Sequence, residues 1–96
     1  MPTRRENLAM HLMDGEMTAR ELAELTGAQL RLVLDDLEHV RRSYRRAFVI
    51  RPARCQSCDF ELRSRQRVST PSRCPRCRSE HVAGPWLRIE SSKVTK

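Results

Sequence analysis

The sequence predicts an α+β fold: three helices in the N-terminal half, then short strands built around four cysteines. Three observations carry that expectation. Apolar residues recur at helical spacing from Arg4 to about Arg45. After Arg46 the chain turns β-branched and aromatic. The cysteines stand in two pairs, Cys55-Gln-Ser-Cys58 and Cys74-Pro-Arg-Cys77, fifteen residues apart.

The first helix is expected from Arg4 to Asp14, with Leu8, Ala9, Leu12 and Met13 on one face, and Asp14-Gly15 ending it. Thr18 then reads as an N-cap with Glu21 at N3, a capping box, and Met17 is placed to staple onto Leu22. This second helix turns Leu22, Ala23 and Leu25 inward and stops at Gly27. The third runs from about Gln29 to Arg45 behind a stripe of Leu30, Val33, Leu34, Leu37 and Val40, extended by Tyr44. Phe48-Val49-Ile50 is a short strand that Pro52 ends. Phe60 and Leu62 alternate with polar residues as in a half-buried strand, and Thr70-Pro71-Ser72 is a turn. Residues 81–90 form a strand interrupted at Gly84-Pro85, and residues 91–96 are a flexible tail. Trp86 and Phe48 are expected to pack where strands meet helices.

The cysteine spacing has a chemical reason. Each C-x-x-C makes a tight knuckle offering two thiolates, and a hairpin between the knuckles brings all four to one ion. Cys55, Cys58, Cys74 and Cys77 are thus expected to hold one structural Zn2+. Four thiolates also suit iron, the alternative metal. Two disulfides would need an oxidising compartment, and a redox C-x-x-C would need a βαβ context. His81 lies four residues past Cys77, but four cysteines already fill a tetrahedral ion.

Charge divides the chain. The 19 basic residues exceed the 12 acids by seven. Residues 1–40 hold four arginines against eight acids, whereas residues 41–96 hold fifteen basic groups against four acids. A bound zinc tetrathiolate lowers the second half's net charge to about +9, still the mark of a polyanion partner. Arg63, Arg65 and Arg67 alternate along the ribbon, Arg73, Arg76 and Arg78 surround the second knuckle, and Arg51 and Arg54 precede the first. The ribbon is therefore expected to carry most of any affinity for phosphate. Its arginines have a plainer role available, as a solvated face.

Ala23-x-x-x-Gly27 between the second and third helices fits a helix-turn-helix. The third helix would then enter the major groove, with Gln29 and Arg31 at base edges. Asp35, Asp36 and Glu38 follow and are expected to face outward, where they oppose phosphate. Arg41, Arg42, Arg45 and Arg46 complement the helix macrodipole, and an exposed Arg42 can also meet phosphate.

Catalysis is not expected, because 96 residues leave little room for a core plus an enclosed pocket and catalytic motifs are missing. No apolar run approaches a membrane span and no signal segment follows the N-terminus, so the expected location is cytoplasmic.

The segments TARELAELTG, VLDDLEHVRRS, PARCQSCDF and PSRCPRCRSE, over roughly residues 18–80, together resemble a family of archaeal predicted transcriptional regulators. In that family a winged helix-turn-helix is fused to a rubredoxin-like zinc ribbon. The resemblance implies a DNA-binding regulator with structural zinc on the four cysteines. One departure is that Asp59 and Arg78 stand where ribbon knuckles often carry glycine. The implied domains are a helical part, 1–46, and wing strands with the ribbon inserted in or after the wing, 47–90. Double-stranded DNA is the expected partner, with a homodimer as the usual way to read paired half-sites. The rival role is an adaptor that docks on transcription or translation machinery through the helical half.

Overall fold

The computed structural model describes residues 3–63 and 67–90. Three helices lead: α1 (Arg4–Asp14), α2 (Ala19–Thr26) and α3 (Leu30–Tyr44). Their ends follow local chemistry. The Thr3 hydroxyl accepts from the Glu6 backbone N–H at 3.2 Å, capping α1. Thr18 and Glu21 form the expected capping box at 3.1 and 3.0 Å. Gly27 ends α2 at φ 71°, a left-handed turn that suits a residue without a Cβ.

A 3₁₀ turn, Arg45–Ala47, passes the chain from α3 into four short strands: β1 (Phe48–Arg51), β2 (Arg54–Cys55), β3 (Val82–Ala83) and β4 (Trp86–Ile89). β1 pairs antiparallel with β4 and β2 with β3, and both ladders share one register. They are one hairpin with a gap. The gap has a cause: Pro52 faces Pro85 and Ala53 faces Gly84 across it, and neither proline has an N–H for the ladder. The Gly84–Pro85 peptide is cis.

The helices close on the base of this hairpin. Leu8, Leu12, Leu22, Val33, Leu37 and Leu87 are fully buried, and Ala47, Phe48 and Ile89 complete the core. Met17 exchanges backbone hydrogen bonds with Leu87 at 2.9 and 2.8 Å, so β4 lies between β1 and the segment leading into α2. Val68, from the chain between the knuckles, joins the same core, and the Thr70 hydroxyl donates to the Gly84 carbonyl at 2.6 Å. The ribbon is thus anchored twice.

The structure corrects several side-chain expectations. Leu25 is 56% exposed and Leu30 38%. The buried face of α2 is Ala19, Leu22 and Ala23, and Leu25 is stepped off it; Leu30 opens α3 before its stripe reaches the core. Met13 is also exposed, at the last turn of α1. Residues 60–62 form no strand. A single bridge joins Arg54 to Glu61, because β2 is only two residues long, although Leu62 is buried and donates to the Ala53 carbonyl at 2.9 Å. Asp36 is buried rather than facing outward.

Candidate metal centre

Each knuckle is built by the same backbone bonds. The Asp59 N–H donates to the Cys55 carbonyl at 2.9 Å, and the Cys55 N–H to the Phe60 carbonyl at 2.9 Å. Nineteen residues on, Arg78 donates to Cys74 and Cys74 to Ser79, both at 2.8 Å. Closing these turns needs a left-handed residue after the second cysteine. Asp59 (φ 62°) and Arg78 (φ 64°) adopt it despite their Cβ atoms. The Ser57 and Ser79 hydroxyls meet at 2.8 Å, and the Gln56 N–H donates to the His81 carbonyl at 2.7 Å, tying one knuckle to the other. His81 itself is exposed and is not among the clustered ligands.

The four sulfurs lie within 4.8 Å of one another. Cys55 and Cys77 approach to 3.4 Å and Cys58 and Cys74 to 3.7 Å. A zinc–sulfur bond of ~2.3 Å sets the edges of a regular tetrahedron at about 3.8 Å, so these separations fit one ion. They are far beyond the ~2.05 Å of a disulfide. The four cysteines form the site of one structural zinc.

Electrostatics within each knuckle favours a thiolate on its first cysteine. Burial opposes the charge on Cys55, but the N–H groups of Cys58 and Ser57, with the Cys77 and Cys58 thiols, bring its pKa down to about 6. Cys74 is likewise lowered: burial opposes, and the N–H groups of Cys77 and Arg76 prevail. In Cys58 the Phe60 N–H favours the thiolate, yet burial and the three neighbouring thiols push the pKa up to about 12. Cys77 is raised as well: the Ser79 N–H favours its thiolate, but the Cys55 thiol and burial prevail. A divalent ion supplies the positive charge that lets all four ionise together.

Comparison with known proteins now bears on this geometry. Residues 3–48 match the family model for the PF0610-like N-terminal domain, and residues 52–92 match the PF0610 rubredoxin-like zinc beta-ribbon domain. The solution NMR structure of protein PF0610 from Pyrococcus furiosus is 31% identical, with a TM-score of 0.72 over 91% of this chain and 88% of that one. The chain belongs to the PF0610-like family. Among curated proteins no match was found.

Elsewhere on this PF0610-like chain, the residues expected at nucleic acid are scattered over the surface. Gln29 and Arg31 are exposed at the start of α3. Gln29 is the N-cap but makes no capping bond with its side chain. It lines an open groove of about 580 Å³ with Arg4, Asn7, Thr26, Gly27, Ala28 and Leu32. Arg42 is exposed near the other end of α3. On the ribbon, Arg63 pairs with Glu61 at 2.7 Å, and Arg76 lies 5.7 Å from the Phe60 ring centroid. Arg67 and Arg78 are exposed. Arg65, and with it the alternation of Arg63, Arg65 and Arg67, falls outside the described residues. The ribbon is less purely cationic than its sequence, since Arg54 also approaches Asp59 and Arg73 approaches Glu80, each at 3.7 Å. Trp86 is half-buried, with the Arg51 guanidinium 4.0 Å over its ring and Gly84 against its edge.

Sequence reasoning missed the Asp36 cluster. Arg4 and Arg5 both donate to its carboxylate, Arg5 at 3.0 Å. Those hydrogen bonds, that from Arg4 foremost, hold the Asp36 pKa below the usual carboxylate value against the opposing effect of burial. The signal was present: Val33, Asp36, Leu37 and Val40 follow i, i+3, i+4, i+7, which places the acid within the buried stripe.

Proposed function

We propose that this PF0610-like protein is a DNA-binding transcriptional regulator whose zinc is structural. The arrangement supports a winged helix-turn-helix: α2 and α3 supply the motif, and the β1–β4 hairpin supplies a wing whose tip is the ribbon. The observation that carries the reading is the fate of Asp36. Of three acids that seemed to bar α3 from phosphate, one is buried under Arg4 and Arg5, and Glu38 approaches Arg41 at 3.8 Å. Asp35 remains exposed, two turns short of Arg42. The first turn of α3 then offers Gln29 and Arg31 for base edges, suited to adenine and guanine respectively.

The zinc site favours a binding role over catalysis. Cysteine fills every tetrahedral position, so neither water nor substrate has a place at the ion. No helix among the described residues is long and apolar enough to cross a membrane. We assign the protein to the cytoplasm, where thiols stay reduced and available to metal.

Mobility shift with genomic fragments at physiological salt tests the regulator. Specific retention is expected, and Gln29→Ala or Arg31→Ala should alter the preferred sequence with little change in salt dependence. A second reading, an adaptor of the transcription or translation machinery, gains support from exposed Leu25 and Leu30 on the helical half. Recovery of a protein complex without DNA affinity would favour it. Elemental analysis should give one zinc in a colourless protein; a coloured iron protein would move the assignment to electron transfer.

A further inference from the structure

Among the described arginines without an ion pair, three fall close together in the chain where α3 ends. Over much of the surface arginines meet acids, as Arg51 meets Glu16 at 2.6 Å, Arg63 meets Glu61 and Arg73 meets Glu80. The guanidiniums of Arg42, Arg45 and Arg46 are exposed and make no ion pair or hydrogen bond among the described residues. They fall within five residues, Arg42 in the last turn of α3 and Arg45 and Arg46 in the 3₁₀ turn that follows it. The sequence reinforces their isolation, because no acid occurs between Glu38 and Asp59.

A second, independent observation falls on the same segment. Arg45 has φ 50° and ψ −116°, in the left-handed half of backbone space where side chains are strained. Its backbone explains the turn: its N–H donates to the Arg41 carbonyl, and its own carbonyl accepts from the Phe48 N–H, turning α3 into β1. Glycine would make that turn without strain. What arginine adds is the guanidinium, and backbone strain concentrates at functional segments.

We propose that Arg42, Arg45 and Arg46 form a clamp for the backbone phosphates of duplex DNA. The clamp stands at the base of the hairpin, about 23 Å along the strands from the knuckles at ~3.3 Å per residue. It is about 24 Å from Gln29 along α3 at ~1.5 Å per residue. The third helix is thereby held at both ends: base edges at its N-terminus and phosphates at its C-terminus. Planar guanidiniums suit this, each able to give two parallel hydrogen bonds to one phosphate. The inference rests on the DNA-binding reading and assigns to this patch the sequence-independent share of affinity.

The test is fluorescence anisotropy of the full zinc-loaded chain on a mixed-sequence duplex, titrated with salt. The triple variant Arg42→Ala/Arg45→Gly/Arg46→Ala should flatten the slope of log affinity against log salt by about two to three, at about 0.9 per phosphate. Its zinc content and helical circular dichroism should be unchanged. Arg45→Gly alone separates structure from binding. It should raise the melting temperature by relieving strain, yet flatten the slope by about one. A triple variant with the wild-type slope overturns the clamp and leaves the regulator reading standing. Wild-type protein without salt-dependent retention of any duplex overturns both. Binding to anionic lipid vesicles but not to duplex overturns the choice of DNA.

Discussion

The two halves of this molecule are held by different forces. In the helical half, leucines from all three helices and from β4 fill one apolar core, and capped helix ends satisfy the backbone. Beyond the paired prolines, the hairpin buries Ala53, Cys55, Leu62 and Cys74, two of them metal ligands, and its one other buried apolar side chain among the described residues, Val68, packs into the helical core. So little apolar surface cannot fold a ribbon, and at this size a metal commonly supplies what a core would. The comparison teaches that one continuous ladder can pass from core-held to metal-held structure, with its break where prolines stop the hydrogen bonding.

The sharpest way to break the comparison is to remove a ligand. Cys55→Ser or Cys74→Ser should unfold the ribbon and abolish stoichiometric zinc, while helical circular dichroism is largely kept. Loss of the helical signal in step with the metal would show a single force holding both halves. The converse is Leu37→Ala. Truncating a fully buried leucine should cost about 2–5 kcal/mol in denaturant unfolding followed at the helical signal, with zinc still bound at one per chain.

Smaller effects sharpen the boundary itself. A Cβ on Gly84 would come within 2.8 Å of the Trp86 ring and 3.2 Å of the Ala53 Cα, at φ 85°. Gly84→Ala should therefore cost about 1–3 kcal/mol and perturb the amides of Ala53 and Trp86 most. The Asp36 cluster gives a pH signature confined to the helical half. Its carboxylate has a lower pKa folded than unfolded, so the unfolded state binds more protons as acid is added. The stabilisation is complete above the unfolded value of about 3.9 and is lost as pH falls through the lower folded value. Glu16, lowered chiefly by its hydrogen bonds from Arg51, acts in the same direction near the hairpin base. Asp36→Asn should lower the melting temperature by about 4–8 °C at pH 7 and weaken the acid dependence below pH 4. The reading is taken at the helical signal of the Cys55→Ser chain, because acid also strips zinc from thiolates.

What was legible in the sequence follows this division. Helix ends were readable because caps are local: Thr18 with Glu21, and Gly27, each act within a few residues. The metal ligands were readable because C-x-x-C spacing encodes the knuckle. The shared register was not, since Pro52 and Pro85 face each other only once the hairpin has formed. Nor were the pairings of Arg51 with Glu16 and of Met17 with Leu87, which join residues distant in the chain. The alternating arginines suggested a ribbon more cationic than the one that forms, because Glu61, Asp59 and Glu80 lie within reach in three dimensions. Asp36 was hidden by its type alone, as its spacing already placed it in the stripe.

The most direct measurement is residue-resolved amide hydrogen exchange of the intact chain, with and without a zinc chelator. Chelation is predicted to collapse protection at the ribbon amides of Cys55, Asp59, Leu62, Cys74 and Arg78. It should leave Leu12, Leu22, Val33 and Leu37 protected at nearly their zinc-loaded level. Equal loss of protection across both sets, or no loss at the knuckles, would contradict the division between a core-held half and a metal-held one.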